Sequence, residues 1–412
     1  MRRILKVPPV RLPLAARNLT RHRTRTVISL SAIAFGVVAL LIAGGFIEWI
    51  FWAMREATIQ GGLGHVQITR PGFRDAGFAN PGAYLLAADS PELTSIRADP
   101  GVKAVDQRLI LSGLASSGET TVAFTAEAVD PAADAIIRVA LPVEGEPLAT
   151  SDPLGVLLGR GLAATLGVKR GDKVSLLVSL PGGGINAVEG HVRGTYTTQI
   201  KAVDDTAIRM PLALGQQLLR TKGAHVWVVA LDSTEKTGAA VSSLRLLLPA
   251  NRFEVRSWED LSDFYRKSVV LLSRQVDAVT LLIGIIIVLG ISNTLTMNVL
   301  ERTGEIGTLM AMGSPRREIL RLFVSEGALL GVAGGLVGLV IGALLAWLLS
   351  YIGIPMPPPP GRDTGYSAEI MLTSRLALGG FLMAVIATTL ASLYPAWKAS
   401  RLPICDALRH NR

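Results

Sequence analysis

In this 412-residue sequence, three of the five histidines and one glycine-rich stretch lie between residues 54 and 270 and have the residue types that could support catalysis or ligand binding. His65, His191 and His225 are scattered along the chain and lack the spacing of metal ligands, such as HxxxH. Between residues 54 and 270 no cysteine is present to pair with them, and no GxSxG motif occurs. The stretch GRGLAATLGVKRGDK lacks the order GxxxxGKS or GxxxxGKT of a phosphate-binding loop. The sequence therefore predicts no metal site, no cofactor and no ATPase activity in these residues.

Charged residues instead gather in a short polar interval, Glu301 to Ile319, with the sequence ERTGEIGTLMAMGSPRREI. The interval carries three acidic residues and three arginines, yet its middle is mostly apolar. Gly313 predicts the end of one helix, Ser314 the N-cap of a second helix and Pro315 its first turn. The interval is therefore predicted to form two helices joined by a tight corner.

The first of these two helices is predicted to have an apolar and a polar face. Its apolar ridge has the helical spacing i, i+3, i+4, i+7 and consists of Ile306, Leu309, Met310 and Gly313. An interfacial helix that binds anionic lipid usually has a basic polar face, whereas this helix carries Glu301 and Glu305. We therefore expect the ridge to face outward, where a groove on a partner protein suits it better than a lipid surface.

The polar interval lies between apolar segments that are long enough to cross a membrane. Half of all residues are hydrophobic and only 18% are charged, against about 25% in a typical soluble domain. Four runs contain the roughly 20 mostly apolar residues that a membrane-spanning helix needs: Val27–Ile47, Ala278–Asn298, Ala328–Ile352 and Leu376–Tyr394. The sequence predicts an integral membrane α-helical protein with transmembrane helices at residues 27–53, 271–299, 319–352 and 376–396.

Basic residues predict how these helices are oriented. Residues 1–26 contain eight lysines and arginines and no acidic residue, which accounts for most of the formal net charge of +9. A basic segment beside an apolar span favours the cytoplasm and anionic membrane lipid. Because it lacks interleaved aromatic residues and a recognisable module, it does not indicate nucleic-acid binding. Residues 1–26, 300–318 and 397–412 are predicted to be cytoplasmic, and the proline-rich loop 353–375, with Pro357–Pro360, extracytoplasmic.

Residues 54–270 are predicted to form an α+β extracytoplasmic domain inserted between the first two transmembrane helices. Gly64–Thr69 and His225–Leu231 have the alternation and β-branched content of strands. The stretch that starts at Leu154 is interpreted as a helix ending at Gly167, followed by a turn and a strand.

Helical stalks are expected at both ends of this domain. The first apolar run continues outward through EWIFWAMREATIQ before two glycines, Gly61 and Gly62, interrupt it. From Trp258 to Leu300 the pattern indicates one long helix, with Ser257 as its N-cap.

Glycines recur at four-residue spacing in the third apolar helix. Overlapping GxxxG pairs are formed by Gly327, Gly331, Gly334, Gly335, Gly338 and Gly342. Such small residues let a neighbouring helix approach closely. We expect them to pack within the chain's own helix bundle, and we expect Glu326, near the cytoplasmic interface, to be structural.

Three segments together resemble the FtsX/MacB/Lol-type ABC transporter permeases, the type VII transporters that act by mechanotransmission. The segment from Glu301 to Gly342 is similar to the family pattern ER-x-x-EIG-x-L-x-A-x-G and the glycine-rich helix that follows it. YPAWKASRLPICDALR resembles the family's closing pattern, and AARNLTRHRTRTVISLSAIAFGV resembles its entry into the first helix.

This resemblance implies a permease subunit that pairs with a second permease subunit, itself or a paralogue, and with a cytoplasmic ABC ATPase dimer. The ATPase would bind ATP and Mg, and its motion would be transmitted to the periplasmic domain. In the family the loop between the second and third spans is a coupling helix that docks on the ATPase. Matched residue by residue, the resemblance assigns ATPase coupling to Glu301, Arg302, Glu305, Ile306, Leu309, Met310, Gly313 and Arg316.

Within the family, the resemblance favours the Lol-type lipoprotein-release permeases. Their first span ends in a segment similar to LIAGGFIE in this chain. This likeness implies a location in the bacterial inner membrane and the release of lipoproteins, or of another periplasmic cargo, toward the outer membrane. Two alternatives stay open: a MacB-like efflux permease that works with a periplasmic adaptor, and an FtsX-like regulator of a periplasmic hydrolase.

Overall fold

The computed structural model describes residues 23–77, 81–138, 142–180, 183–198, 200–356 and 366–403. Its described residues divide into two compact units, which we call the helix bundle (described residues within 23–52, 269–356 and 367–403) and the sheet domain (described residues within 53–268, with residue 366). The basic segment up to residue 22, the proline run Pro357–Pro360 and the C-terminal tail from residue 404, with Cys405, lie outside the described residues.

The α-helices of the described residues are numbered in chain order. They are α1 (Arg23–Thr58), α2 (Phe73–Ala76), α3 (Pro91–Arg97), α4 (Pro131–Ile137), α5 (Arg160–Leu166), α6 (Lys201–Asp204), α7 (Leu212–Leu219), α8 (Thr237–Leu247), α9 (Trp258–Leu261), α10 (Asp263–Glu301), α11 (Thr303–Ala311), α12 (Arg316–Ile352) and α13 (Ser374–Ser400). A π-helical turn at Ile59–Leu63 continues α1 until Gly62 leaves the helical conformation at φ 119°. Short 3-10 turns lie at Pro81–Tyr84 and Thr234–Lys236.

The strands follow the same numbering. They are β1 (Val66–Thr69), β2 (Val102–Ser117), β3 (Thr120–Val129), β4 (Val143–Gly145), β5 (Gly155–Gly159), β6 (Lys173–Ser179), β7 (Ile185–Tyr196), β8 (Ala207–Pro211), β9 (Val226–Leu231), β10 (Glu254–Ser257), β11 (Ile354–Met356) and β12 (Tyr366–Ala368).

Four helices, α1, α10, α12 and α13, are long and apolar enough to cross a membrane. The strands β1 to β10 and the short helices among them all lie in sequence between α1 and α10. The predicted fold class, four transmembrane helices with an α+β domain inserted between the first and second, is therefore confirmed.

Apolar side chains repeat every four residues on the faces that the bundle buries. The buried core combines Ile33, Val37 and Leu41 of α1, Ile287, Ile291 and Leu295 of α10, Leu330 of α12, and Ala384, Ala387 and Ala391 of α13. This spacing keeps the side chains on one stripe of each helix. Because alanine side chains are short, larger side chains of the other helices can pack close to the backbone of α13.

The sheet domain is built on one mixed, strongly connected sheet. Its strand order is β10-β1-β9-β2-β3-β8-β5-β7-β4, and β6 pairs with both β2 and β7. The pairs β3/β8 and β5/β7 are parallel, and the other pairs along this path are antiparallel. The 16-residue strand β2 holds the sheet together, since its first half pairs with β9 and its second half with β3 and β6.

Two predictions about local structure in this domain are wrong. The run from Leu154 does not start a helix, because Gly155–Gly159 forms strand β5 between β7 and β8, and the helix α5 begins only at Arg160. A short continuous apolar run of this kind does not distinguish a buried strand from a buried helix. The helix does end where predicted, with Gly167 in the left-handed conformation.

The second wrong prediction concerns the long helix from Trp258. Ser257 is the N-cap, with a capping box to Asp260, but Ser262 leaves the helical conformation (φ −109°, ψ 79°). The helix therefore breaks into α9 and α10. The strands predicted at Gly64–Thr69 and His225–Leu231 are confirmed as β1 and β9, although every residue of both strands is buried, so exposure does not alternate along them.

Candidate functional site

The polar interval forms the short helix α11, which has a defined start and end. Arg302 (φ −98°, ψ 14°) interrupts the helical path after α10, and Thr303 Oγ1 donates to the carbonyl of Val299 at 3.1 Å. At the far end Gly313 N–H donates to Met310 O and Ser314 N–H to Leu309 O. These two bonds are the pattern of a Schellman motif, which places Gly313 at φ +95°, where glycine is favoured.

The next helix starts one residue later than predicted. Pro315, not Ser314, is the N-cap of α12, and no side chain caps this end. The physical reason is that the N–H of Ser314 already closes the preceding helix, and Pro315, in the extended conformation (φ −70°, ψ 151°), has no N–H to satisfy.

The predicted outward direction of the apolar ridge is wrong. Ile306 and Met310 are buried against the chain's own helices, and Leu309 is half-buried beside them. Their neighbours in this cluster are Val299 of α10, Ile319 and Phe323 of α12, and Ala396 and Ala399 of α13. The ridge therefore anchors α11 to the end of the helix bundle, because burying these side chains removes apolar area from water.

The exposed surface of α11 lies on its other face. It carries Glu305, Thr308 and Met312, which are exposed and follow one another at helical spacing, and Arg316 is exposed just beyond the corner. The side chain of Met312 is 66% exposed. Sequence reasoning missed Met312, although a lone apolar residue on the acidic side of a two-faced helix was a signal that could have pointed to it.

An ion pair ties the start of α11 to α12. Arg302 Nη1 lies 3.1 Å from Glu326 Oε1, and its Nε lies 3.1 Å from Glu305 Oε2. The Glu326 side chain is only 5% exposed, and the Arg302 guanidinium also lies 5.7 Å from the centre of the Phe323 ring. Glu301 is exposed at the end of α10. The predicted site residues thus divide into a buried anchor (Ile306, Met310), a charged tie (Arg302) and an exposed face (Glu305, Arg316).

The glycines of α12 face two different helices rather than one. A Cβ atom built on Gly327 or Gly335 would lie 2.5 Å from Ser392 Cβ or 3.0 Å from Phe381 Cδ2, both on α13, and Gly331 also faces α13. A Cβ built on Gly334, Gly338 or Gly342 would lie 2.6–2.8 Å from Ile33, Val37 or Leu41 on α1. The absence of side chains therefore lets α12 pack closely against two neighbours within the chain.

The three histidines of the sheet domain each have a bonding partner. His65 Nδ1 accepts from Leu231 N–H at 3.1 Å, and His225 Nδ1 accepts from Ile110 N–H at 3.0 Å. Burial lowers the pKa of both histidines, which favours the neutral ring that such an acceptor requires. His191 Nε2 lies 2.9 Å from Asp152 Oδ2. Within the described ranges, no three His, Cys, Asp or Glu side chains are placed to hold a metal ion.

Two family models match the chain. Residues 26–247 match the MacB-like periplasmic core domain, and residues 278–404 match the FtsX-like permease C-terminal region. The second match includes α11, α12 and α13, and so contains the short helix, its ion pair and the glycine-rich helix.

Several curated proteins are similar to this chain over long segments. An uncharacterised ABC transporter permease of Methanocaldococcus jannaschii is 27% identical over 278 residues, 65% of each chain. The lipoprotein-releasing system transmembrane protein LolC of Xylella fastidiosa is 26% identical over 284 residues, 62% of this chain and 64% of LolC. The macrolide export ATP-binding/permease protein MacB of Syntrophobacter fumaroxidans is 30% identical over 192 residues, 44% of this chain and 25% of MacB. The matched part spans less than two thirds of each of these relatives.

Proposed function

The chain belongs to the ABC transporter permeases that combine a MacB-like periplasmic core domain with an FtsX-like permease region, and we propose that it transmits the motion of a separate ABC ATPase to the sheet domain. In this proposal ATP and Mg are bound by the ATPase dimer, and two permease chains assemble on it. The termini and α11 lie in the cytoplasm, and the sheet domain lies in the periplasm.

The observation that carries this proposal is that α11 is attached to the helix bundle both by its apolar side and by an ion pair. Its apolar side is buried in the bundle cluster that includes Phe323, and its first turn is tied by Arg302 to Glu326. A force applied to its exposed face is therefore passed directly to α10, α12 and α13 rather than absorbed by a loose loop. A packed helix moves as a unit, because protein interiors resist local deformation.

Substitutions on the exposed face of α11 are expected to weaken docking of the ATPase, whereas substitutions in the buried anchor are expected to impair folding. Met312→Asp places a charge where the ATPase groove would pack, and we expect it to weaken ATPase binding by at least about tenfold, or 1.4 kcal/mol. Met310→Lys, in contrast, buries a charge in the anchor and is expected to lower the yield of folded protein.

A suitable control for Met312→Asp is Leu246→Asp on α8 of the sheet domain. Leu246 is 90% exposed, so the same change of charge is made on an exposed apolar residue far from α11 in sequence. The measurement is co-purification with the co-expressed ATPase and stimulation of its ATP hydrolysis. Equal stimulation by wild type, Met312→Asp and Leu246→Asp would show that α11 is not the coupling element.

For the cargo, we propose lipoproteins released from the inner membrane toward the outer membrane. The support is that the similarity to LolC extends over 284 residues, across both the sheet domain and the bundle, in a protein whose name states lipoprotein release. Depletion of the chain is expected to leave lipid-anchored proteins in the inner-membrane fraction. Normal sorting of lipoproteins after depletion would contradict this proposal while leaving the ATPase coupling intact.

A second candidate, efflux in the manner of a MacB-type exporter, is favoured by the higher identity to MacB, 30% over 192 residues. It predicts raised sensitivity to macrolides after depletion, and co-purification of the chain with a periplasmic adaptor. Drug susceptibility and lipoprotein fractionation, measured on the same depleted cells, distinguish the two cargo classes.

A further inference from the structure

One face of the sheet domain is open to solvent and almost free of charge. Strands β2, β3, β6 and β7 bury every second side chain in the core, and twelve of the intervening side chains form this open face. Only Glu189 among them is charged, and Lys173 Nζ lies 2.7 Å from its carboxylate. A free protein surface carries roughly a quarter to a third charged residues, whereas the centre of an interface is depleted of charge. The open face therefore resembles a surface that a partner covers.

The pairing register aligns these side chains in three rows across the four strands. The middle row is apolar and consists of Ala123, Leu114, Leu177 and Ala187. The first flanking row is mostly hydroxyl-bearing and consists of Thr121, Ser116, Ser175 and Glu189. The second flanking row consists of Thr125, Ser112, Ser179 and Ile185. The open face is thus an apolar stripe between two stripes of hydroxyl groups.

The second flanking row has a groove at one end and a prominent side chain at the other. The groove has a volume of about 590 Å³ and is lined by Thr125 and Ser112 of this row, with Ile110 and Thr206 beside them. Among the described residues that line it, none is charged. Ile185 stands at the far end of the row, on β7, and is 73% exposed. A large apolar side chain and an uncharged groove therefore lie on the same face, three strands apart.

This arrangement is complementary to itself. A two-fold axis that runs along the strands between β2 and β6 exchanges the two ends of every row. It places the apolar row on the apolar row of a second copy, and Ile185 of each copy over Thr125, in the groove of the other. Glu189 then faces the uncharged Thr121, so the two acidic side chains stay apart. Contacts in which each copy uses the same patch are the rule in two-fold dimers.

We propose that the open face binds the same face of a second copy of this chain, with Ile185 of each copy in the groove of the other. Uncharged rows meet without like-charge repulsion, and burying Ile185 removes its apolar surface from water. A strongly charged partner has no counter-charge on this face to pair with, apart from Glu189 at its corner.

The size of the open face indicates that the second copy is held alongside by other contacts. Four strands at about 4.8 Å each and five residues at about 3.4 Å each give roughly 320 Å² per copy. A stable interface takes about 800 Å² per partner. The contact is therefore too small to join two free molecules, but it suits two chains that are already paired. In this respect the inference rests on the proposed function, in which two permease chains assemble on one ATPase.

The test is cross-linking of the full chain in membranes, with the ATPase co-expressed. Cys405 is the one cysteine of the sequence, and Cys405→Ser removes it. A bifunctional maleimide then joins introduced cysteines across roughly 10 Å, the usual spacing of packed sheets. Leu114→Cys lies beside the proposed axis and should give a cross-linked dimer. Ser243→Cys, which is also exposed but lies on α8, is the matched control and should give none.

Two differently tagged versions of the chain test the register of the contact. Ile185→Cys on one chain should be joined to Thr125→Cys on the other far more than to itself, because three strand spacings, about 14 Å, separate the two Ile185 positions sideways. Ile185→Asp should lower cross-linking through Leu114→Cys at least about tenfold, since symmetry places the change twice in the contact. Leu246→Asp, the same change on α8, should leave cross-linking as it is.

Co-purification of the two tagged chains separates the possible failures. If the chains co-purify but Leu114→Cys is cross-linked no more than Ser243→Cys, the open face is not the contact, while chain pairing and ATPase coupling stand. Chains that do not co-purify overturn both this contact and the pairing in the proposed function. Cross-linking of Leu114→Cys to a different protein, or equal cross-linking with Ile185→Asp and Leu246→Asp, also overturns the assignment.

Discussion

Removing Arg302 should have a much larger effect than its position in a polar loop suggests. The Glu326 side chain is 5% exposed, and Arg302 Nη1 lies 3.1 Å from its carboxylate. Arg302→Met retains the apolar stem beside Phe323 but leaves Glu326 without this partner. Breaking a buried pair from one side typically costs about 3–5 kcal/mol, because the remaining charge stays in a poorly solvated position. We expect Arg302→Met to lower the free energy of unfolding by that amount.

The double variant Arg302→Met/Glu326→Leu supplies the second half of this prediction. With both charges replaced by apolar side chains of similar length, neither member of the pair is left behind as a charge, and stability should return to within about 1 kcal/mol of the wild type. The difference between the single and double variants measures the coupling of the two residues. Unfolding of the full chain in mixed micelles, followed by tryptophan fluorescence, gives these free energies.

An exposed ion pair of the sheet domain provides the control. Arg160 and Glu144 form a salt bridge whose side chains are 52% and 64% exposed. Arg160→Met should therefore cost no more than about 1 kcal/mol. If Arg302→Met proves no more harmful than Arg160→Met, or if the double variant is as unstable as Arg302→Met alone, Glu326 is not a buried charge that depends on Arg302, and the tie between α11 and α12 has been misjudged.

Two further predictions concern packing and pH. Gly338→Ala should destabilise the bundle by about 1–3 kcal/mol, because its Cβ would lie 2.7 Å from Val37 Cβ and 3.0 Å from the carbonyl oxygen of Ala34. Gly290→Ala, whose Cβ would meet nothing within 4 Å, should be neutral or stabilising. If the two variants change the free energy of unfolding equally, α12 is not closely packed at Gly338. Burial lowers the pKa of His65 in the folded chain below its usual 6.5. As the pH falls, the unfolded chain therefore takes up this proton before the folded chain does. The neutral ring contributes its full stability above pH 6.5, and this contribution is lost as the pH falls below that value. His65→Gln should reduce this loss in denaturation curves between pH 7.5 and pH 5.5, and an unchanged pH dependence would exclude His65 as a source.

Local patterns were sufficient for the four long apolar helices and for the end of α11. Runs of roughly 20 apolar residues have only one common structural solution in a membrane, since a helix satisfies its own backbone hydrogen bonds. The corner after α11 could also be predicted from the sequence, because Gly313 takes a backbone conformation that other residues adopt rarely. These features depend on neighbours in sequence, and so the sequence contains the information directly.

Which distant segments pair with one another could not be predicted from local patterns. The run Gly155–Gly159 is a strand because β7 and β8 lie on either side of it. Nothing within these five residues indicates those neighbours. A row of charged side chains in the sheet domain is similar: Arg108, Glu127 and Arg209 stand far apart in the chain, and only the register of β2, β3 and β8 brings them together.

The sequence by itself determined that this protein has four apolar helices, an inserted α+β domain, and a two-faced segment between its second and third spans. Tertiary structure alone decided which face of that segment is available. The periodicity of Ile306 and Met310 shows that they share a side of α11, but a helix buries its apolar side against whatever apolar surface is nearest. Here that surface belongs to α10, α12 and α13 of the same chain, and so Glu305, Thr308 and Met312 remain as the face that a partner can reach.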